Sequence, residues 1–209
     1  MEAELTRRVA QAAALLRAGG LVVYPTETFY GLGALASRAD ALARLAAAKL
    51  RPAGKALPLI AANLAQVESV AALDGPARRM AGRFWPGPLT LVLPAAPGLD
   101  AAVTGGTGTV AVRVPGSEVA RTLARLAGGP LVSTSANRSG EPPPVRADEL
   151  SPTLLAEVDG VLDAGPTPGG LPSTLVALER GGPRLLREGA VPFAEVLAAH
   201  AGPVAHGGG

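Results

Sequence analysis

The sequence has no cysteine. That removes disulfides, thiolate nucleophiles and sulfur-held metals together. Histidine is nearly absent too: only His200 and His206 occur, close to a glycine run at 207–209 where a chain is expected to fray. Histidine is the residue most often recruited as a general base, so a Ser-His-Asp triad or a histidine metal site is not expected. Aromatics make up 3% of the residues, too few for the stacking platforms of a dedicated single-strand binder. The net charge of +2 is mild and leaves no strong nucleic-acid footprint. No apolar run approaches the roughly 18 residues of a membrane span. The opening Met1-Glu2-Ala3-Glu4 is acidic, unlike a secretory signal. A soluble, cytoplasmic protein without membrane association is expected.

What is present is a chain of 209 residues, 48% hydrophobic, enough for one substantial core. Its positive charge is written as arginine: of nineteen basic residues only Lys49 and Lys55 are lysine. A compact ammonium on a flexible stem suits a phosphate or carboxylate in a tight pocket. Two lysines that drifted onto the surface explain composition alone equally well.

Apolar periodicity predicts alternating helices and short strands, hence an α/β domain with a mixed sheet. Helices are expected over 4–18, over 38–50 with Ser37 as N-cap, after Asn63, from Pro76 to about Trp85, over 118–127 with Ser117 as N-cap, from Asp148, and over 192–200. Strands are expected at 21–24, 57–61, 89–93, 109–114, 131–133, 161–163, 174–178 and 184–187, with a turn at 105–108.

Three segments carry more polar chemistry than a scaffold needs. The first, Pro25-Thr26-Glu27-Thr28-Phe29-Tyr30-Gly31-Leu32-Gly33, follows a strand, where α/β sheets place ligands. It also reads as an ordinary capped loop, and its glycines match no dinucleotide or P-loop pattern. The second is Lys49-Leu50-Arg51-Pro52 with Lys55 close behind. Pro52 pushes Arg51 towards an extended backbone. Charge-assisted bonds of roughly 1.5–3 kcal/mol each let three cations hold a triphosphate, whereas one cation at a helix C-terminus gains only roughly 0.3–1 kcal/mol. The third is Ser133-Thr134-Ser135-Ala136-Asn137-Arg138-Ser139-Gly140, a donor-rich loop that is either solvated or lines a ligand. Pro142-Pro143-Pro144 stiffens its exit. Arg113 sits within an apolar strand, and alternation slightly favours a solvent-facing side chain. Pro172-Ser173-Thr174 repeats the theme of hydroxyls at a strand end. Trp85, the only tryptophan, is read as packing.

Taken together the segments resemble the YrdC family of threonylcarbamoyl-adenylate synthases. The resemblance spans nearly all of residues 8–190: YPTETFYGLG from Tyr24, KLRP from Lys49, FWPGPLTLVL from Phe84, TVAVRVP from Thr109, LVSTSANRSG from Leu131, PSTLV from Pro172 and LLREG from Leu185. The family's Lys-x-Arg and Ser-x-Asn elements correspond to Lys49/Arg51 and Ser135/Asn137. The resemblance implies one YrdC-like domain over 1–200, a flexible tail over 201–209, and a twisted mixed sheet with flanking helices forming a large positively charged cleft. It also implies a reaction: L-threonine, bicarbonate and ATP, with Mg²⁺ on the phosphates, yield threonylcarbamoyl-AMP and pyrophosphate. The product passes to downstream transferase proteins that modify tRNA.

By the same resemblance, Lys49 and Arg51 serve catalysis by electrostatic stabilisation and positioning. Arg51, Lys55, Thr109, Ser135, Asn137 and Arg187 contact the nucleotide. Thr28, Arg113, Ser133 and Ser173 contact threonine, with Arg113 on its carboxylate. No protein metal ligand is implied. Ile60 stands where some relatives have histidine and Lys55 where some have asparagine. Pro143 replaces a serine that some relatives offer to ATP. A second reading gives the basic cleft to tRNA or rRNA as a binding module without catalysis. A third, a carbamoyl-adenylate activity like that of hydrogenase-maturation proteins, is disfavoured because the chain lacks zinc-finger cysteines.

Overall fold

A computed structural model describes residues 2–49, 54–138 and 140–201. Helix α1 (Glu2–Arg17) buries Val9, Ala12, Ala13 and Leu16, an i, i+3, i+4, i+7 stripe. It ends before Gly19, whose positive φ of 89° lets the chain turn into β1 (Val22–Pro25). All four residues of β1 are buried.

The segment after β1 is not a loop throughout. Tyr30–Gly33 forms β2, antiparallel to β1 with Pro25 opposite Tyr30 and Val22 opposite Gly33. Residues 26–29 are the hairpin connection, closed by the Thr26 amide and hydroxyl, which both donate to the Phe29 carbonyl at 3.1 and 2.7 Å. Gly33 is required by close approach: a Cβ there would stand 2.5 Å from the Tyr24 ring and 2.8 Å from the Val132 carbonyl.

Helix α2 (Ala39–Ala48) starts one residue later than expected. Arg38, not Ser37, occupies the N-cap and makes no side-chain cap; its guanidinium pairs instead with Asp40 at 2.7 Å. Lys49 closes the helix as C-cap, and the rest of the Lys49-to-Pro52 motif, with Arg51, lies outside the described residues. There follow β3 (Leu59–Ile60), α3 (Leu64–Glu68, capped by Asn63) and α4 (Gly75–Phe84, capped by Asp74 with Pro76 in its first turn). Trp85, half-buried against the core, donates its indole N–H to the Leu89 carbonyl at 2.6 Å and precedes a cis bond to Pro86.

Strand β4 (Leu89–Pro94) leads through α5 (Ala101–Thr104), a short helix unforeseen in the sequence, to β5 (Thr109–Arg113). Helix α6 (Glu118–Ala127, capped by Ser117) precedes β6 (Leu131–Val132) and β7 (Thr134–Ser135). Asp148 belongs to a 3-10 turn, Ala147–Glu149, rather than opening an α-helix; the helix that follows is α7 (Pro152–Leu155). The chain finishes with β8 (Gly160–Val161), β9 (Thr174–Glu179), β10 (Gly182–Arg187) and α8 (Phe193–Ala201). Ala201, expected in the tail, lies in α8.

The strands form two sheets, ordered β7-β2-β1-β8 and β10-β9-β4-β5-β3-β6, each mixing parallel and antiparallel neighbours. Helices flank them. Helix α6 joins α1 over a cluster holding Leu16, Tyr24 and Leu123, while Leu42, Leu91 and Met80 belong to a larger cluster. Among the described residues no helix is long and apolar enough to cross a membrane.

Candidate active site

The two sheets bound a cleft of about 960 Å³. Its walls follow from two pairings. Strand β2 carries the first polar segment and pairs with β7, the start of the third, with Gly31 opposite Ser135 and Leu32 opposite Thr134. The face of the larger sheet supplies the floor. Residues two apart on a strand share a face, so Thr109, Ala111 and Arg113 of β5 line the cleft beside Thr90 and Val92 of β4, while Val110 and Val112 are buried in the core. Arg113 thus leaves the core face, as alternation suggested, but enters the cleft and not bulk solvent; it is 7% exposed.

Ten of the eleven residues implied for the site line this one cleft: Thr28, Lys49, Lys55, Thr109, Arg113, Ser133, Ser135, Asn137, Ser173 and Arg187. The eleventh, Arg51, lies outside the described residues. Pro143 and Ile60 also line it. Four of the described lining side chains are cationic, Lys49, Lys55, Arg113 and Arg187, and none is a carboxylate.

One side of the cleft is tied together through Lys49, which is 6% exposed. Its ammonium donates to the Ser135 carbonyl at 2.7 Å, to the Asn137 carbonyl and to Asn137 Oδ1 at 3.3 Å. Ser135 donates its hydroxyl to Asn137 Oδ1, and the Asn137 amide donates to the Glu141 carbonyl. A lysine at the end of α2 therefore fixes the Ser-x-Asn loop 86 to 88 residues away. Lys55 stands exposed at the rim, and the hydroxyls of Thr107 and Thr109 bond to each other at 2.8 Å.

The other side gathers hydroxyls around two guanidiniums. Thr28 is buried, 3.1 Å from the Thr26 hydroxyl. Ser173 shares a 2.8 Å hydrogen bond with Thr90, and its carbonyl accepts from Arg187 Nη2 at 2.8 Å. Gly189 keeps this corner tight: a Cβ there would collide with the Pro172 carbonyl and the Ser173 backbone. Burial, and next the charge of nearby Arg113, hold the Arg187 pKa below its ordinary value. Two like charges share a partly desolvated corner, so an anion is the ligand the corner favours. The Tyr24 hydroxyl lies beneath Ser133, donating to the Val132 carbonyl at 3.1 Å, and burial pushes its pKa up.

Thr90 and Thr107 were not singled out in the sequence. Thr90 and Thr107 were legible only through the partners that fold against them. Glu27 reads in the sequence as a ligand-facing carboxylate or as a loop side chain satisfying nearby amides.

The profile of the Sua5/YciO/YrdC family, described as telomere recombination, matches residues 14–189. The chain belongs to that family. A protein of Pyrococcus abyssi named threonylcarbamoyl-AMP synthase is 42% identical over 186 residues, 88% of this chain and 55% of its own length. One of the same name from Stenotrophomonas maltophilia is 45% identical over 166 residues, 75% of this chain and 89% of its own. The crystal structure of Pyrococcus abyssi Sua5 complexed with L-threonine is 41% identical with a TM-score of 0.87, covering 91% of this chain and 56% of that one. The chain thus spans little more than half the length of the archaeal relative. The solved archaeal structure shares the mixed α/β fold over 91% of this chain.

Proposed function

We propose that this member of the Sua5/YciO/YrdC family is a threonylcarbamoyl-AMP synthase, a nucleotidyltransferase acting on ATP, L-threonine and bicarbonate. The observation that carries the reading is the division of a single cleft. A corner with two guanidiniums and several hydroxyls adjoins a wall built from the Lys49-tied Ser-x-Asn loop, in a fold whose relatives bear that name.

The chemistry fits the side chains present. The threonine amine and bicarbonate form an N–C bond and release water, giving a carbamate. A carbamate oxygen then attacks the α-phosphorus of ATP, the bond from that phosphorus to the bridging oxygen breaks, and pyrophosphate leaves with the electron pair. Such a displacement needs positioning and charge neutralisation more than covalent catalysis. Arg113 takes the threonine carboxylate in bidentate fashion, with Thr28, Ser133 and Ser173 around the rest of the amino acid. Lys55, Thr109, Ser135 and Asn137 face the nucleotide. Arg187, next to Ser173 and Arg113 on the same floor, is assigned to the nucleotide, its charge offered to the α-phosphate. Lys49 serves by holding the loop that carries Ser135 and Asn137.

Magnesium enters as the ATP complex. An ion held by the triphosphate and water is the form such chemistry uses. Cytoplasmic transferases that modify tRNA are the partners this product calls for.

Pyrophosphate release from MgATP and bicarbonate, with and without L-threonine, tests the proposal. Threonine-dependent release by the wild type is expected. Arg113→Ala should lose about a hundredfold in apparent threonine affinity, as truncation of a buried charge-pair partner does. A folded protein with no threonine-dependent release overturns the reading.

A further inference from the structure

Glu27 is a buried carboxylate that the reaction above does not use. Both of its oxygens are buried, and neither accepts a hydrogen bond. Among the described residues its one ion pair is with Arg113, Nη1 to Oε1 at 3.4 Å, with the two side chains 9% and 16% exposed. Among the described residues the Arg113 guanidinium makes no hydrogen bond, so its donors are not claimed by the protein. Glu27 does not line the cleft, whereas Arg113 does. The carboxylate stands on the other side of the arginine, and its carbon chain passes 3.4–3.9 Å from where a Cβ would stand at Gly116, just before α6.

We propose that Glu27 is the positioning residue for Arg113: it holds the guanidinium from behind by charge alone and leaves its fork open to a carboxylate in the cleft. The identity of that carboxylate as threonine's rests on the function proposed above. A hydrogen-bonded carboxylate would occupy the very donors the substrate needs. A carboxylate at 3.4 Å, off the hydrogen-bonding line, attracts the arginine without occupying them. It also sets the charge of the corner. Arg113 and Arg187 together carry two positive charges, and Glu27 reduces the sum to one, the complement of a single carboxylate. Without it, two partly desolvated guanidiniums have no counter-charge and are driven apart.

The test uses the full chain and two readouts. L-Threonine and ATP are titrated separately by calorimetry into wild type, Glu27→Gln and Glu27→Asp. The motion of the Arg113 guanidinium is followed without ligand through its Nε–Hε NMR signal, assigned with Arg113→Lys. Glu27→Gln keeps shape and removes charge, so threonine affinity should fall about tenfold while ATP affinity stays unchanged. The Arg113 signal should show a newly mobile side chain. Glu27→Asp, which keeps the charge, should recover most of the threonine affinity, and it stands in for Glu27→Gln if that variant fails to fold, by keeping Arg113 ordered. In the Arg113→Lys background, Glu27→Gln should add little. Unchanged or tighter threonine binding in a folded Glu27→Gln, or an Arg113 equally ordered without the charge, overturns the inference. Should the wild type bind no threonine, the functional reading falls, and the order of Arg113 alone decides the role of Glu27.

Discussion

Lys49 and Arg113 are both cationic, both nearly buried and both on the wall of one cleft, yet their surroundings are opposite. The Lys49 ammonium donates to two backbone carbonyls and a side-chain oxygen of a distant loop. The Arg113 guanidinium meets a carboxylate at 3.4 Å that accepts no hydrogen bond. A buried cation is tolerated when its donors are filled, and leaving them unfilled costs stability. Lys49 therefore acts on the fold of the site. Arg113 keeps unfilled donors for an anion in the cleft. Charge alone does not separate the two roles; the filling of the donors does.

The largest expected effect lies on the satisfied side. Lys49→Met removes the ammonium and leaves the Ser135 and Asn137 carbonyls without their donor in a nearly buried place. Stability should fall by about 1–3 kcal/mol, the cost of buried groups left unpaired. Pyrophosphate release should fall by at least about a hundredfold, because a misplaced loop loses positional catalysis. Thermal melting and turnover together check this. Lost turnover with an unchanged melting temperature would make Lys49 a ligand-facing charge like Arg113 and would break the distinction.

A smaller effect is expected for Arg187→Met. Arg187 donates to the Ser173 carbonyl, and its pKa is held down by burial and by Arg113, so removing it relieves one like-charge contact. Substrate affinity should fall about tenfold, the worth of one charge-assisted contact, while the melting temperature stays level or rises. Calorimetric binding set against melting sharpens the contrast: the lysine variant loses both properties, the arginine variant only affinity.

Much of this arrangement was legible in the sequence because it depends on local chemistry. The α1 stripe, the caps at Asn63 and Ser117 and the alternation along β5 each have a local cause, and the structure has them. The hairpin after Pro25 was not legible. Thr26, Glu27 and Thr28 read as loop residues, and the strand Tyr30–Gly33 exists because β7 and β1 supply its partners. The same holds for Thr134–Ser135, polar enough for a loop yet paired across to Leu32 and Gly31. Ser37 failed as an N-cap because Arg38 takes that position and finds Asp40 instead. At the site the residue types were readable, and the division of labour was not. Which of two buried cations is satisfied depends on contacts across some 87 residues of chain, which no local pattern encodes.

The smallest expected effect tests how far the rigidity of the Lys49 side extends. The Tyr30 carbonyl accepts from the Ala136 amide and the Tyr30 amide donates to the Pro144 carbonyl, both at 2.9 Å, so Tyr30 carries both ends of the loop that Lys49 ties. Its hydroxyl is anchored on Asp163 Oδ1 at 2.9 Å and the Gly165 carbonyl at 2.7 Å. The Gly165 amide first, and then this hydroxyl, hold the Asp163 carboxyl below its ordinary range. Tyr30→Phe should cost about 1 kcal/mol at neutral pH and leave threonine affinity unchanged, because the backbone pairing of Tyr30 survives. The pH dependence has a fixed sign. A carboxyl whose folded pKa is depressed contributes stability above its unfolded value, about 3.9, and loses that contribution as pH falls through the folded value. Tyr30→Phe lets the Asp163 pKa rise part of the way back, since the Gly165 amide remains. The stability gap between wild type and variant should therefore be widest above pH 4 or so and narrow below it. Denaturant melts across that range read it. A gap that holds constant into acid would place the loss in packing alone, and a fall in threonine affinity would show that the two sides of the cleft are mechanically one.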